Sequence, residues 1–295
     1  MKINNGEYRV IINGIHHWVK IEGEENNTIP LIIIHGGPGG NLYTFERTVG
    51  SYLSKERTVV YYEQRGCGRS DKPNSDKAYS IHELIDDFKK ILQWIDIKKV
   101  DLLGYSFGGE LALELCYALP TFINKIVLSG PSLMTLKTQY MLQIAGFVSI
   151  ADTPLVHKIE EILCENTSIV NKYKKVWEIV DNDTVDRLFF VNQDIARKFR
   201  KLVKESNLHN TGLMLEALQE SPVETPLYER LQSIQHKTLL ITGVHDRNTG
   251  ISISNIINRN LANIEWKLFN HSAHFPELEE TNKFVGEVLH FLEIS

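Results

Sequence analysis

The sequence is short of cysteine and of positive charge, and each shortage excludes a class of protein. The chain of 295 residues has three cysteines, Cys67, Cys116 and Cys164, which are odd in number and widely spaced. They form neither a disulfide framework nor a zinc-ligand pattern, so we expect free thiols in a reducing compartment and no metal. Lysine and arginine total 32 against 37 acidic residues, and the resulting net charge of −5 argues against a nucleic-acid partner.

The sequence also lacks a long apolar run. None of its apolar stretches approaches the ~20 residues that a membrane-spanning helix needs, and its first residues lack the apolar core of a signal peptide. These absences predict a soluble cytoplasmic protein with no membrane partner, whereas the oligomeric state is left open. The length suits one large domain, or one domain that carries an insertion.

In the first 131 residues, predicted strands alternate with helical patterns. Apolar and β-branched runs predict strands at 7–12, 16–21, 31–34, 57–62, 99–103 and 126–128. Apolar residues at helical spacing predict helices between them, at 42–53 and 81–95 for example. Such alternation is typical of the α/β class, here a doubly wound, mostly parallel sheet with helices on both faces.

After the sixth predicted strand the alternation stops. Residues 132–228 show helical patterns and no convincing strand, and strands then return at 238–242 and 265–269. The sequence therefore predicts a sheet domain in two parts, 1–131 and 229–295. Between them it predicts a helical cap, 132–228, inserted after the sixth strand.

The pattern Gly-x-Ser-x-Gly occurs at Gly104 to Gly108, where a strand passes into a helix. A serine at such a joint adopts a strained backbone conformation. The flanking glycines let the strand and the helix pack closely while the hydroxyl projects outward. This context predicts a nucleophile elbow with Ser106 as the nucleophile. The alternative is a tight strand-to-helix turn in some other α/β protein.

A serine nucleophile needs a base and an acid, and in a doubly wound sheet both belong in loops after strands. Asp246 follows the predicted strand 238–242 and is the only carboxylate in its loop, although a helix N-cap would also explain it. His274 follows the last strand and precedes Phe-Pro at the start of a helix, so we prefer it as the base over His271 in the same loop. His245 adjoins the acid in sequence and is expected to point away.

The oxyanion donors are predicted to be backbone amides. One is the amide of Phe107, directly after the nucleophile, and the other is that of Gly37, in the loop His-Gly-Gly-Pro-Gly-Gly after the third strand. A phosphate cradle is the alternative for that loop, but it lacks the Lys-Ser/Thr ending of a P-loop and the spacing of a dinucleotide fingerprint. We assign His35 to fixing this loop. We expect Glu63 and Arg65 to pair with neighbouring loops rather than to form a wall of the site.

Together these residues resemble the α/β-hydrolase family, and within it the proline iminopeptidase-like branch. The resemblance is carried by His35–Gly40, Gln64–Ser70, Gly104–Gly109, Asp246 and His274. It implies that Ser106, His274 and Asp246 form a catalytic triad. It also implies an oxyanion hole from the amides of Gly37 and Phe107, a helical cap over the site and no cofactor.

Two positions depart from the pattern of that branch. Glu63 stands where the family motif usually begins with aspartate. The aminopeptidase members also resemble one another in a glutamate directly after the triad aspartate, which helps to bind the free α-amine of the substrate. Here that position is Arg247, whose charge would repel an ammonium group. The cap residues Glu216, Glu220 and Glu224 are candidate replacements for the lost amine anchor.

The sequence therefore predicts a serine hydrolase that forms an acyl-enzyme with a short peptide or another small substrate. One version releases an N-terminal proline residue, and the alternative is an esterase or lactonase for a small apolar acyl group. A binding protein with a vestigial triad is a hypothesis of another class. The serine at position 106 argues against epoxide or haloalkane hydrolysis, which requires a carboxylate at the elbow.

Overall fold

The computed structural model describes residues 4–75 and 78–293, and one eight-stranded sheet runs through its centre. The strands are β1 Gly6–Ile12, β2 Ile15–Glu22, β3 Leu31–Ile34, β4 Val59–Tyr62, β5 Val100–Tyr105, β6 Ile123–Ser129, β7 Lys237–Gly243 and β8 Ile264–Phe269. Their order across the sheet is β1-β2-β4-β3-β5-β6-β7-β8. Strands β3 to β8 are mutually parallel, whereas β1 and β2 pair antiparallel. The mostly parallel sheet predicted from the sequence is confirmed.

Helices connect these strands. Those in the described ranges are α1 Tyr43–Arg47, α2 Gly50–Leu53, α3 Ile81–Ile95, α4 Phe107–Ala118, α5 Lys137–Val148, α6 Thr153–Cys164, α7 Ile169–Ile179, α8 Asn182–Phe189, α9 Gln193–Ser206, α10 Leu213–Glu220, α11 Leu227–Arg230, α12 Gly250–Asn260, α13 Pro276–Glu279 and α14 Thr281–Glu293. No helix in residues 4–75 and 78–293 combines the length and hydropathy that crossing a membrane requires.

The sheet is covered on both faces, and its strands β3 and β4 are buried at every position. In β3, Ile32 and Ile34 pack into the core on one face, together with residues of α3, α4 and α12. Leu31 and Ile33 point to the other face and pack with residues of α1, α2 and α14. Successive side chains of a strand alternate between faces, so a run of four buried β-prone residues requires helices on both sides. Each such side chain contributes about 1.5–3 kcal/mol by burial.

The segment between β6 and β7 contains α5 to α11 and, among its described residues, no strand. It has an apolar core of its own, which includes Ile144, Phe147 and Val176. The helical pattern predicted for 132–228 is therefore present. The division into a cap and a two-part sheet domain stays a prediction, and its second boundary, at residue 228, falls inside α11.

The structure corrects two helix predictions. The predicted helix 42–53 is two short helices, because the chain leaves helical geometry at Thr48, whose hydroxyl donates to the carbonyl of Thr44. Apolar residues at helical spacing from Leu188 to Leu202 likewise predict one helix, whereas the structure has a break between α8 and α9. There the side chain of Asn192 caps the first amides of α9. Apolar spacing continues across such a break, so it does not reveal the cap.

Candidate active site

The carboxyl ends of the parallel strands bring the predicted site residues to one edge of the sheet. The glycine-rich loop follows β3, Ser106 follows β5, Asp246 follows β7 and His274 follows β8. Parallel strands end at the same edge, so loops that are far apart in sequence meet there.

Ser106 has the backbone strain expected of a nucleophile elbow. Its φ of 54° and ψ of −126° lie outside the regions that non-glycine residues favour, and its carbonyl accepts hydrogen bonds from the amides of Gly109 and Ser132. The flanking glycines are required, because a Cβ at Gly104 would overlap the carbonyl of Gly108. A Cβ at Gly108 would in turn overlap the carbonyl of the last residue of β3.

Asp246 and His274 form a buried pair. Oδ2 of Asp246 lies 3.0 Å from Nδ1 of His274, and the two residues are 8% and 4% exposed. The carboxylate also accepts from the amides of Asn248 and Thr249 and from the Thr249 hydroxyl. Burial opposes ionisation of Asp246, but the adjacent imidazole and these donors hold its pKa below the ordinary value. An ionised Asp246 keeps the proton on Nδ1 and leaves the lone pair of His274 on Nε2.

The side chain of Asn248 contacts the Nε2 atom of His274. Nδ2 of Asn248 lies 3.0 Å from Nε2 of His274, and Asn248 is itself buried. Ser106 and His274 line the same cavity, yet within the described chain no hydrogen bond joins the serine hydroxyl to the imidazole. Hydrogen bonds between catalytic groups are often long or absent before substrate binds. The sequence carried no signal for Asn248 beyond its place two residues after Asp246.

The loop that carries His274 is fixed by two glutamates and by the helical segment. Glu279 accepts from the amide of Ala273 at 2.7 Å and from the amide of Val191 at 2.8 Å. Glu280 accepts from the amide of His271 at 3.0 Å, so His271 is held at its backbone and, unlike His274, does not line the cavity. No local sequence pattern marks either glutamate.

One predicted oxyanion donor, Phe107, follows Ser106 in the chain, and the other, Gly37, lines the same cavity as Ser106. Phe107 is the first residue of α4, where an amide has no carbonyl of its own helix to bond. Gly37 lines the cavity with a φ of 129°, and a Cβ there would lie 2.5 Å from the amide nitrogens of Gly39 and Gly40. The loop is also held from the helical segment, because Nδ2 of Asn210 donates to the carbonyl of Pro38 at 2.8 Å.

His35 and the second glycine-rich loop are structural. The buried ring of His35 donates from Nδ1 to the carbonyl of Gly36 and accepts at Nε2 from the amide of Gln64. Burial lowers its pKa and keeps the ring neutral. Arg65 pairs with Asp87, and Glu63 pairs with Arg69 and accepts from the amide of Leu42. Neither Glu63 nor Arg65 lines the cavity.

Ser106 opens into a cavity of about 740 Å³, a size that suits a small substrate. Much of its wall is aromatic and comes from the helical segment and the histidine loop. The aromatic lining residues are Tyr105, Tyr140, Tyr173, Trp177, Phe189, Phe190, Phe199 and Phe275. Within the described residues, no group of three or more histidine, cysteine, aspartate or glutamate side chains is arranged to hold a metal ion.

The charged lining of the cavity is mainly acidic. Its charged members are Lys174, Glu178, Asp186, Arg200 and Glu216. Nε of Arg200 pairs with the carboxylate of Asp186 at 2.7 Å, which neutralises both. Two carboxylates and one ammonium group remain.

The structure separates the candidate amine-binding residues. All three glutamates are exposed, but Glu216 lines the cavity and Glu220 and Glu224 do not. Arg247 does not line it either, because its guanidinium donates to the carbonyl oxygens of Arg187, at 3.4 Å, and His245, at 3.2 Å. The positive charge at the position after Asp246 is thus turned away from the cavity.

Comparison with known proteins adds the family. Residues 29–281 match the family described as the alpha/beta hydrolase fold. The chain belongs to the α/β-hydrolase family. It is 23% identical to a proline iminopeptidase of Saccharolobus solfataricus, over 99% of this chain and 93% of that protein. It is 24% identical to the proline iminopeptidase of Lactiplantibacillus plantarum, over 95% and 98% of the two chains.

Solved structures show the same fold. A proline iminopeptidase-related protein from Thermus thermophilus superposes with a TM-score of 0.80 at 18% identity, over 98% of each chain. Est816, an N-acyl homoserine lactone degrading enzyme, superposes with a TM-score of 0.68 at 18% identity, over 96% of this chain and all of that one. These structural likenesses establish the fold alone. The family match and the curated relatives identify the chain as a hydrolase of proline iminopeptidase-like type.

Proposed function

We propose that this hydrolase is a serine aminopeptidase that releases the N-terminal residue, proline above all, from short peptides. Ser106 is the nucleophile, His274 the base, and Asp246 the acid that orients it. The buried Asp246–His274 hydrogen bond, at the edge of the cavity into which the elbow serine opens, is the observation that carries this proposal. The relatives named proline iminopeptidase support it because the similarity extends over nearly the whole chain.

The proposed reaction proceeds through an acyl-enzyme. His274 takes the proton of Ser106 at Nε2 while the serine oxygen attacks the carbonyl carbon, and the amides of Gly37 and Phe107 bind the developing oxyanion. The imidazolium then gives its proton to the leaving amine. A water molecule then attacks the acyl-enzyme ester, again with His274 as the base, and releases the acid product and free Ser106. Losing one oxyanion donor typically costs ~3–4 kcal/mol of transition-state stabilisation.

The cavity supports a substrate with a free amine. Glu178 and Glu216 are carboxylates of the lining whose side chains make no ion pair within 4.0 Å among the described residues. An α-ammonium group would therefore meet net negative charge there, and Arg247, which faces elsewhere, would not repel it. The aromatic walls offer the flat apolar contacts that a pyrrolidine ring can use.

A substrate panel tests the proposal. Purified enzyme is compared on L-proline 4-nitroanilide and on short p-nitrophenyl esters, with Ser106→Ala as the control for background hydrolysis. We expect arylamide turnover that Ser106→Ala abolishes. We also expect covalent labelling of Ser106 by a fluorophosphonate. Absence of labelling in folded protein would favour a binding protein on this scaffold.

An esterase or lactonase is the second candidate, and the apolar character of the cavity wall favours it. The aromatic side chains from Tyr140 to Phe275 suit a small apolar acyl group as well as they suit proline. Est816, one of the similar structures, has the same fold and is described as a lactone-degrading enzyme. Ester turnover without arylamide turnover would select this candidate.

A further inference from the structure

A buried oxygen beside His274 has no hydrogen-bond partner. Asn248 is 7% exposed and lines the cavity, and its Nδ2 makes the 3.0 Å contact with Nε2 of His274. Its Oδ1 is fully buried and, within the described chain, meets no donor. Buried polar atoms in folded proteins are almost always paired, so this oxygen marks a place where a donor can arrive from a ligand.

Asn248 also contacts Nε2 of His274, the nitrogen that must accept a proton in the proposed reaction. Nδ1 of His274 is bonded to Asp246, so Nε2 must accept the proton of Ser106. The contact from Nδ2 of Asn248 meets that lone pair in the substrate-free structure. The amide of Asn248 must therefore leave Nε2 when the serine takes its place. A rotation of the carboxamide would achieve this and would move Oδ1, which has no partner, to a new position beside Nε2.

Amide hydrolysis brings a donor to this place. When the tetrahedral intermediate collapses, the C–N bond breaks and its electron pair goes to the nitrogen. The nitrogen takes from Nε2 of His274 the proton that Ser106 gave up. Its lone pair must face Nε2 to receive that proton, so the hydrogen already on the nitrogen points away from Nε2. It then needs an acceptor of its own. An ester oxygen carries no such hydrogen.

The other groups around the imidazole do not offer that acceptor. Asp246 lies on the Nδ1 side and is filled by the imidazole and three further donors. Thr249 already bonds the carbonyl of Gly130 and Asp246. Phe189 and Phe275 contact the imidazole ring with apolar faces.

We propose that Asn248 determines specificity for nitrogen leaving groups: its Oδ1 accepts a hydrogen bond from the N–H of the scissile amide as the C–N bond breaks. The inference rests on the proposed function, since it takes Ser106 and His274 as nucleophile and base. The substrate class is an amide with a hydrogen on the scissile nitrogen, in a peptide or an arylamide.

Three substrates with the same acyl group test the inference. They are L-proline 4-nitroanilide, its N-methyl analogue, which lacks the N–H, and L-proline benzyl ester. Rates are measured for the wild-type enzyme and Asn248→Ala, and fluorophosphonate titration counts the active sites. Gln219→Ala is the matched control, because Gln219 also lines the cavity with a buried unpaired oxygen but contacts Tyr140 instead of His274.

For Asn248→Ala we expect kcat/KM to fall about tenfold to a hundredfold on the anilide and to stay within about twofold on the ester. In the same variant, kcat/KM on the N-methyl anilide should fall no more than kcat/KM on the ester. Gln219→Ala should leave the anilide-to-ester ratio unchanged. If the alanine variant does not fold, Asn248→Leu, which keeps the size and removes both polar atoms, is measured in the same way.

Other outcomes overturn the inference. An equal loss on anilide and ester would mean that Asn248 only positions His274, and a gain on both would mean that it only blocks Nε2. A wild-type enzyme that is labelled and cleaves the ester but no anilide would refute both the inference and the aminopeptidase function. Anilide cleavage with an unchanged ratio in Asn248→Ala would refute the inference alone.

Discussion

Oε2 of Glu279 accepts a hydrogen bond of 2.7 Å from the amide of Ala273, the residue directly before His274. The other oxygen of the same carboxylate accepts from the amides of Val191 and Asn192, at the junction of α8 and α9. One side chain therefore ties the loop of the proposed base to the helical segment that walls the cavity. Hydrogen bonds to a charged acceptor are worth more than neutral ones, about 1.5–3 kcal/mol each.

Glu279→Gln should lower both activity and stability. The glutamine amide can accept at one oxygen only, so one set of amide donors loses its partner. We expect a loss of about 1–3 kcal/mol in the free energy of unfolding and a fall of about tenfold in kcat. Urea unfolding and steady-state kinetics on the best substrate measure the two effects.

The control for this prediction is Glu56→Gln, at an exposed position outside the cavity. It should change neither quantity. If Glu279→Gln destabilised the protein but left kcat unchanged, the carboxylate would hold the helices without positioning the histidine loop.

The strands and the three residues at their ends could be predicted from sequence, whereas the contacts around them could not. Ser106 is marked by its glycine pattern, and Asp246 and His274 are marked by their places in the loops after two predicted strands. These signals are local. The contact of Asn248 with His274 and the tie from Glu279 to the helical segment depend on how distant segments pack, and no local spacing encodes them. The break between α8 and α9 was missed for a related reason, because a single capping residue, Asn192, sets the start of α9.

Glu216 is expected to bind the substrate amine, and Glu220 on the same helix, α10, is the control position. Glu216 lines the cavity, and Glu220, one turn later on the same helix, does not. Glu216→Gln should raise KM for L-proline 4-nitroanilide about twofold to fivefold, because it removes an exposed carboxylate that an ammonium group would face. Glu220→Gln should leave KM within about twofold.

An N-acetylated substrate tests whether the effect of Glu216→Gln depends on the ammonium charge of the substrate. It carries no ammonium group, so Glu216→Gln should not weaken its binding. Arg247→Ala should also leave KM within about twofold, since the guanidinium is bonded to backbone carbonyls outside the cavity. A large drop in KM for Arg247→Ala on the free-amine substrate would contradict this reading of the site.

Asn210 is expected to position the oxyanion loop. Its Nδ2 bonds the carbonyl of Pro38, and its side chain packs so closely against Gly39 that a Cβ there would overlap it. Asn210→Ala should lower kcat about threefold to tenfold with KM within about twofold, because a displaced Gly37 amide affects the transition state most. The exposed Asn171→Ala is the control. A raised KM with unchanged kcat would mean that Asn210 contacts substrate only.

The buried acid Glu277 should make stability depend on pH. Burial raises its pKa to about 7 from an ordinary value of 4.5, although the hydroxyl of Ser129 donates to it at 3.1 Å. The folded state thus keeps a proton that the unfolded state loses between these two values. The stabilisation is complete below about pH 4.5 and is lost as pH rises through about 7. The full effect is roughly 3 kcal/mol in the free energy of unfolding.

Glu277→Gln should remove this dependence, because the amide stays neutral at every pH and can still accept from Ser129. Relative to the wild-type protein, the variant should gain roughly 2–3 kcal/mol of stability between pH 5 and pH 8. Glu110, whose pKa burial also raises to about 7, is present in both proteins and cancels in the comparison. Urea unfolding at the two pH values measures the difference, with Glu56→Gln as control. Parallel pH profiles for the wild-type protein and Glu277→Gln would show that Glu277 is ionised in the folded state at pH 5.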